Sequence, residues 1–306
     1  MAYIYQAPKD LDAQSAAFKR KYPDLAFVLA TGNYEAQLKY DGVFSVVYTS
    51  SASAESRQQE AQPAAKHLAN ECLTLFGEGW LVFMELWIPG EKHKTINGAA
   101  RREKHGPQEQ LNGMIFDAIT SEEFAKGKSD RSYRERMQHI GKTVAGSCKL
   151  YQAAQVVIPS DTSHEEIIKL ATGFGASEAN AYDGLILRDL NAGWSAGAAK
   201  QGEVLKIKPG ISLDLRVVGQ HAEQRATKLG GHITVTYNGV LTNVGSGLNQ
   251  EMLEAIMREG ASPEEESKSF IGKIAEVECL GITPDGKLRE PRLKSFRTDT
   301  DSEEEK

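Results

Sequence analysis

Cysteine is scarce in this chain of 306 residues: there are three, Cys72, Cys148 and Cys279, far apart in the sequence. That excludes a disulfide framework and a zinc site built from close ligand pairs, and it fits three reduced thiols. The seven histidines show no metal-ligand spacing. No apolar run approaches the length of a membrane span, and residues 1–8 have neither a basic nor an apolar leader region, so a soluble, unexported chain in the cytoplasm is expected. No internal repeat is visible, and no serine, histidine and acid form a recognisable triad. Gly141-Lys142-Thr143 imitates the end of a P-loop, but that loop needs glycine five residues earlier, where Arg136 stands, so a helix end is expected there. An excess of positive charge is also missing. The net charge is −6, although residues 299–306 hold five acids and one lysine and leave the body near neutral. A nucleic-acid partner would have to be met by local basic patches, not by the global field.

What is present is ordinary globular composition, 40% hydrophobic and 25% charged, in a chain long enough for two domains. Residues 26–48 and 80–88 read as short β runs. Between them Pro63 opens a helical pattern with Ala65, Leu68, Ala69, Cys72 and Phe76 on one face. Ser163 with Glu166 reads as a capping box for a helix ending near Gly173, followed by strands at 185–187 and 204–207. After residue 210 short strands dominate, at 213–218, 233–237, 240–244 and 273–280, with one helix near 249–257. Asn238-Gly239 marks a two-residue hairpin turn. This texture suits a small closed barrel such as an OB-fold. The Ser/Ala/Glu/Gln stretch 50–62 and the acidic tail are expected to be mobile.

Five elements carry chemistry. Lys39-Tyr40-Asp41-Gly42 puts a lysine on a strand-to-turn; a neutral lysine can attack an α-phosphate, and Gly42 allows a sharp turn. The alternative is a surface lysine before an Asp-Gly turn. Glu85 is a lone carboxylate inside the apolar strand Val82-Phe83-Met84-Glu85-Leu86-Trp87, suited to a metal or a ribose hydroxyl, or else an acid facing outward. Phe116-Asp117 follows. Tyr182-Asp183-Gly184-Leu185-Ile186-Leu187-Arg188 places a second carboxylate at the mouth of a strand, where it could hold Mg²⁺ against a triphosphate or merely make a turn. Leu205-Lys206-Ile207-Lys208-Pro209 puts two lysines on one strand face, where an intervening phosphate would relieve their repulsion. Two basic stretches stand out. Residues 92–105, with Arg101 and Arg102, are expected to grip phosphates; residues 131–142, with Arg134, Arg136 and His139, are expected to be a solvated helix face.

The order and spacing of these elements resemble the covalent nucleotidyltransferase superfamily of ATP-dependent DNA ligases, RNA ligases and mRNA capping enzymes. The start Lys39-Tyr40-Asp41-Gly42-Val43 and the ending Ile271-Gly272, Thr283-Pro284-Asp285-Gly286-Lys287-Leu288-Arg289-Glu290-Pro291 and Phe296-Arg297 are similar to the DNA ligases of short-tailed coliphages. The resemblance implies an α+β fold: a nucleotidyltransferase domain of ATP-grasp-like ligase type over 1–210, an OB-fold β-barrel over 211–298 and a disordered tail over 299–306. It implies a monomer that uses ATP and Mg²⁺ on nicked double-stranded DNA, in a host cytoplasm if phage-encoded. Lys39 would carry AMP. Lys206 and Lys208 would neutralise the phosphates, and Phe116 would stack on adenine. Glu85 and Asp183 would serve the metal or the ribose. Gln37, Leu38, Asp41, Gly42, Arg57 and Arg297 would complete the nucleotide site, with a hinge at 209–212 bringing Arg297 to the leaving group.

The chain departs from the family pattern at four positions. Phe44 stands where an arginine usually binds ribose, so Arg57, Arg101 or Arg102 would have to compensate. Asp183 replaces glutamate, Gln37 replaces a glutamate that reads adenine, and Thr300 replaces a lysine whose charge Lys294 could supply. An RNA ligase, a GTP-using capping enzyme and a non-catalytic OB-type nucleic-acid-binding protein are the other readings.

Overall fold

The computed structural model describes residues 5–11, 14–102, 106–159, 162–163, 166–167, 169–170, 182–208, 210–224, 228–258, 269–283 and 285–297. The chain forms two compact units, residues 1–209 and 210–306.

The first unit begins with β1 (Gln6–Ala7), α1 (Ala16–Lys21) and α2 (Leu25–Ala30). The expected β run therefore starts late, because residues 25–30 are helical. Asp24 caps this helix by accepting a hydrogen bond from the Phe27 N–H at 3.1 Å. Leu25, Val28 and Leu29 are buried at the spacing i, i+3, i+4, so an apolar run that looks like a strand is held by a helical burial period.

Two sheets follow. One has the order β13-β10-β2-β9, built from β2 (Tyr34–Tyr40), β9 (Gln155–Val156), β10 (Tyr182–Asp189) and β13 (Val204–Ile207). The other has the order β4-β3-β5-β6-β8, built from β3 (Val43–Tyr48), β4 (Ser53–Glu55), β5 (Trp80–Trp87), β6 (Asn112–Thr120) and β8 (Leu150–Gln152). All their pairings are antiparallel except β6 with β8. The stretch 50–62, expected to be mobile, is instead built in: β4 pairs with β3 from Val46–Glu55 to Tyr48–Ser53.

Each sheet is covered on one face by helices. Phe18, Leu25, Val28 and Leu29 pack with Ala36, Leu185, Leu187, Leu205 and Ile207 on the first sheet. On the second, the larger core joins Val82, Met84 and Ile115 to Leu68 and Cys72 of α3 (Lys66–Phe76), Ile96 of α4 (His93–Ala100), and Met137 and Ile140 of α6 (Tyr133–Thr143). Gly141-Lys142-Thr143 is the end of α6, as its sequence suggested. Ser163 and Glu166 exchange the bonds of a capping box, at 2.8 Å and 3.2 Å; the expected end of that helix near Gly173 lies outside the described residues.

The second unit contains β14 (Ile211–Gln224), β15 (Leu229–Tyr237), β16 (Val240–Val244), α7 (Gln250–Arg258), β17 (Ile274–Cys279) and β18 (Arg292–Phe296), in the sheet order β16-β15-β14-β17-β18. Asn238 (φ 47°) and Gly239 (φ 78°) join β15 to β16, the two positive angles that a type I′ hairpin requires. Leu213, Leu215, Val217, Ile233, Val235, Ala275 and Val277 alternate inward and meet Ile256 of α7. Among the described residues the outer strands meet at one isolated bridge, Ser246 to Arg292, so the sheet does not close into the expected barrel. Arg297 pairs with Asp214 at 3.0 Å and Glu276 at 3.3 Å inside this unit. The acidic tail and Thr300 lie outside the described residues, and no described helix is long and apolar enough to cross a membrane.

Candidate active site

The two sheets of the first unit are joined where the chain leaves β2 and enters β3, at Asp41-Gly42. Lys39 stands just before this crossing. Gly42 passes so close to β5 that a Cβ would run into the Leu86 carbonyl oxygen and lie 2.8 Å from Glu85 Cγ. The glycine is therefore a steric requirement of the crossing. Its absent side chain lets Lys39, at the end of one sheet, share a cleft with Glu85, from the middle of the other. Gly42→Ala should cost about 2 kcal/mol or more by overpacking against backbone and should displace Glu85. A thermal melt and an assay of site function on the same variant check both effects together.

The cleft holds a cavity of ≈ 120 Å³ lined by Gln37, Leu38, Lys39, Phe44, Arg57, Glu85 and Phe116, all but Phe44 expected as site residues, together with Tyr5, Met114, Ile186 and Arg188. Two β-bulges shape it. On β10 the register runs Tyr182–Tyr40 and then Leu185–Leu38, so Asp183 and Gly184 together oppose Lys39, with Gly184 at φ 104°. The backbone thus sets Asp183 across from the lysine. On β6 the register runs Phe83–Asp117 and then Met84–Ile115, which leaves Phe116 as the extra residue. A bulge re-aims a side chain and frees a carbonyl; here the Phe116 ring lines the cavity and its carbonyl accepts a bond from Tyr133 Oη at 3.2 Å.

Strand register supplies the cationic side. Gln37, Ile186 and Lys206 are directly aligned across β2, β10 and β13, and in an antiparallel sheet aligned residues share a face. Leu205 and Ile207 point into the core, which leaves Lys206 and Lys208 on the other side, as alternation predicted. Lys206 Nζ lies 3.4 Å from Asp10 Oδ2. Arg57 lies 5.5 Å from the Phe44 ring centroid and 5.2 Å from that of Tyr5. It therefore enters the cavity stacked on Phe44, whereas Arg101 and Arg102 are exposed at the end of α4 and do not line it. Asp41 meets His93 Nδ1 at 3.5 Å.

Behind Phe116 lies a buried ionic cluster. Asp117, 1% exposed, accepts from Arg136 Nε at 2.7 Å and Nη2 at 3.1 Å and lies 3.6 Å from Arg188 Nη1. Burial works against the charge on Arg136, but Asp117 more than offsets it, so the guanidinium is held even more firmly protonated than usual. Arg136 thus belongs to the core and not to the solvated helix face that its sequence suggests. His139 likewise stacks on Trp80 at 4.5 Å; burial, with Arg131 and Lys142 nearby, pushes its pKa down. Arg188 lies over the rings of Phe116 (5.3 Å) and Tyr133 (5.0 Å), and its buried Nε has no hydrogen-bond partner among the described residues.

No family profile and no curated protein sequence matches the chain. Solved structures do. A protein designated Pmar-Lig_PreS3 superposes with a TM-score of 0.72 at 18% identity, over 97% of this chain and 68% of that one. A Lig E DNA ligase, described as binding DNA with a minimal scaffold, gives 0.68 at 16% identity, over 96% and 98%. The ATP-dependent DNA ligase of bacteriophage T7, in complex with ATP, gives 0.52 at 18%, over 96% and 98%. This chain has the fold of the ATP-dependent DNA ligases. At these identities the likeness establishes the ligase fold.

Within that fold the structure brings Gln37, Leu38, Lys39, Arg57, Glu85 and Phe116 to one cavity, with Asp41 and Gly42 at the crossing beside it. Asp183 lies opposite Lys39 by its backbone, and Lys206 and Lys208 lie on the adjoining strand face. Arg297 is in the other unit. Sequence reasoning passed over Arg188 and Tyr133. Arg188 had a signal, since it stands two residues after Ile186 and so shares its strand face. Tyr133 had none, because its place depends on α6 docking against a bulge in β6.

Proposed function

We propose that this chain is an ATP-dependent DNA ligase that seals nicks in duplex DNA through AMP carried on Lys39. The observation that carries the reading is the convergence, in a ligase fold, of Lys39 with the Phe116 ring, the Glu85 carboxylate and two arginines around one cavity. Lys39, Arg57 and Arg188 give the lining more positive than negative charge, and Arg188 Nε is a buried donor awaiting an acceptor. Both features suit a nucleotide phosphate. Phe116 and Met114 offer an apolar wall for a base.

The chemistry follows from these positions. Lys39 Nζ attacks the α-phosphorus of ATP; a P–N bond forms, the bond to pyrophosphate breaks and a proton leaves Nζ. Lys206 and Lys208 stabilise the charge that develops on the phosphate oxygens. The AMP then passes to the 5′-phosphate of a nick, and the 3′-hydroxyl displaces it to form the phosphodiester. Glu85 and Asp183 would hold Mg²⁺, an ion that commonly takes one or two carboxylates and completes its shell with phosphates and water. The ion would supply charge neutralisation at the triphosphate. The exposed Lys92, Lys94, Arg101 and Arg102 would grip DNA phosphates without reading sequence.

The test is a sealing assay on nicked duplexes of DNA and of RNA, each with ATP or GTP. Sealing is expected with DNA and ATP. Preferential sealing of RNA, or use of GTP, would favour the RNA-ligase or capping-type chemistry instead.

A further inference from the structure

Gln37 is 1% exposed yet lines the cavity, and its carboxamide has two faces of opposite character. A free carboxamide could turn either its oxygen or its NH₂ toward a ligand. Here the choice is made by Tyr133. In the structure the Tyr133 hydroxyl gives its proton to the Phe116 carbonyl oxygen, at 3.2 Å. The hydroxyl oxygen can then only accept from Gln37, 2.6 Å away. The group facing Tyr133 is therefore the NH₂. Glu35 Oε1, 3.5 Å from the same nitrogen, makes the same demand. Among the described residues no donor engages the Gln37 oxygen.

The relay is rigidly built. Tyr133 is the first residue of α6, whose capping box pairs Ser132 with Glu135 at 2.8 Å and 3.3 Å. Its own N–H donates to the Ala192 carbonyl at 2.8 Å, and its ring is packed by Arg188 and Arg136. At the other end, the Phe116 carbonyl is available because Phe116 is the bulged residue. Burial keeps the Tyr133 hydroxyl neutral and able to donate.

We propose that Tyr133 is a positioning residue that sets nucleotide specificity: its hydroxyl locks the Gln37 carboxamide with the oxygen toward the cavity, so that the site favours a purine bearing an exocyclic amino donor over one bearing a carbonyl there. The inference rests on the reading that this cavity takes ATP. Adenine presents the amino group and guanine the oxygen. A buried acceptor facing another acceptor leaves both unsatisfied, which is how a polar site rejects a near-isostere.

The test compares ATP with GTP in the parent and in Tyr133→Phe. It uses equilibrium binding by calorimetry, KM and kcat for self-nucleotidylation, and sealing of a pre-adenylated nick. In Tyr133→Phe the carboxamide is free to turn. The preference for ATP should fall by about tenfold, through KM, with kcat and pre-adenylated sealing within about twofold of the parent. Adding Gln37→Glu should restore the preference, because a carboxylate offers an acceptor whichever way it turns. A preference that survives Tyr133→Phe, or that Gln37→Glu fails to restore, overturns the proposal. If Tyr133→Phe does not fold, Gln37→Leu replaces it: a lost preference supports the acceptor, and a retained one overturns it. If the parent forms no covalent adduct, the ligase reading fails, and the binding preference still decides the role of Tyr133. A parent that binds neither nucleotide overturns both.

Discussion

Lys39→Ala should abolish ATP-dependent sealing, on the order of 10⁴-fold or more, because the proposed reaction runs through a covalent bond to Lys39 Nζ. The same variant should still seal a nick whose 5′-phosphate already carries AMP, within about tenfold of the parent. By that stage the lysine has delivered its nucleotide, and the remaining step needs the 3′-hydroxyl, charge neutralisation and the metal. Lys39→Arg should behave like the alanine variant, since a guanidinium keeps its proton at any working pH and is no nucleophile. The pattern to look for in paired assays is therefore a deep loss with ATP and a shallow one with pre-adenylated DNA. Equal loss in both would mean that the substitution damages the whole site.

The second large effect is on stability. Asp117→Asn keeps the shape of the side chain but removes the buried carboxylate that pairs with Arg136 and Arg188. Leaving buried guanidinium charge uncompensated costs about 3–5 kcal/mol. For a domain of this size that lowers the melting temperature by roughly 10 °C. The contrast is Asp130→Asn, which breaks an ion pair with Lys128 that is mostly exposed on both sides and should cost under about 1 kcal/mol. Calorimetric melts of the two variants side by side check the difference. Asp117→Asn should also slow adenylation, because the Phe116 wall and Arg188 both rest on this cluster.

Much of the site could be read from the chain because it is carried by strands, whose alternation fixes which residues share a face. Lys206 with Lys208 and the inward Leu205 and Ile207 are of that kind, as is Glu85 set among apolar neighbours. The Asp-Gly turn after Lys39 signalled a tight crossing, and the contact between Gly42 and Leu86 gives its cause. The bulges were not legible. A bulge is a mismatch between two strands, so nothing local in Phe116 or Asp183 reports it. The helix over 25–30 was misread because its apolar run fits a strand equally well until the Asp24 cap and its packing partners are known. The stretch 50–62 looked mobile by composition, yet Ser53–Glu55 completes a sheet edge, where backbone pairing outweighs side-chain character. The closed barrel was inferred from strand texture, which cannot tell whether the outer strands meet.

The proposed ligase reaction stands on AMP carried by Lys39. The most direct measurement is intact mass followed by peptide mapping of the protein after incubation with ATP and Mg²⁺ without DNA, once any AMP already bound has been stripped with pyrophosphate. One AMP is expected on Lys39, discharged by nicked duplex DNA. No adduct, or an adduct on another residue, would contradict it.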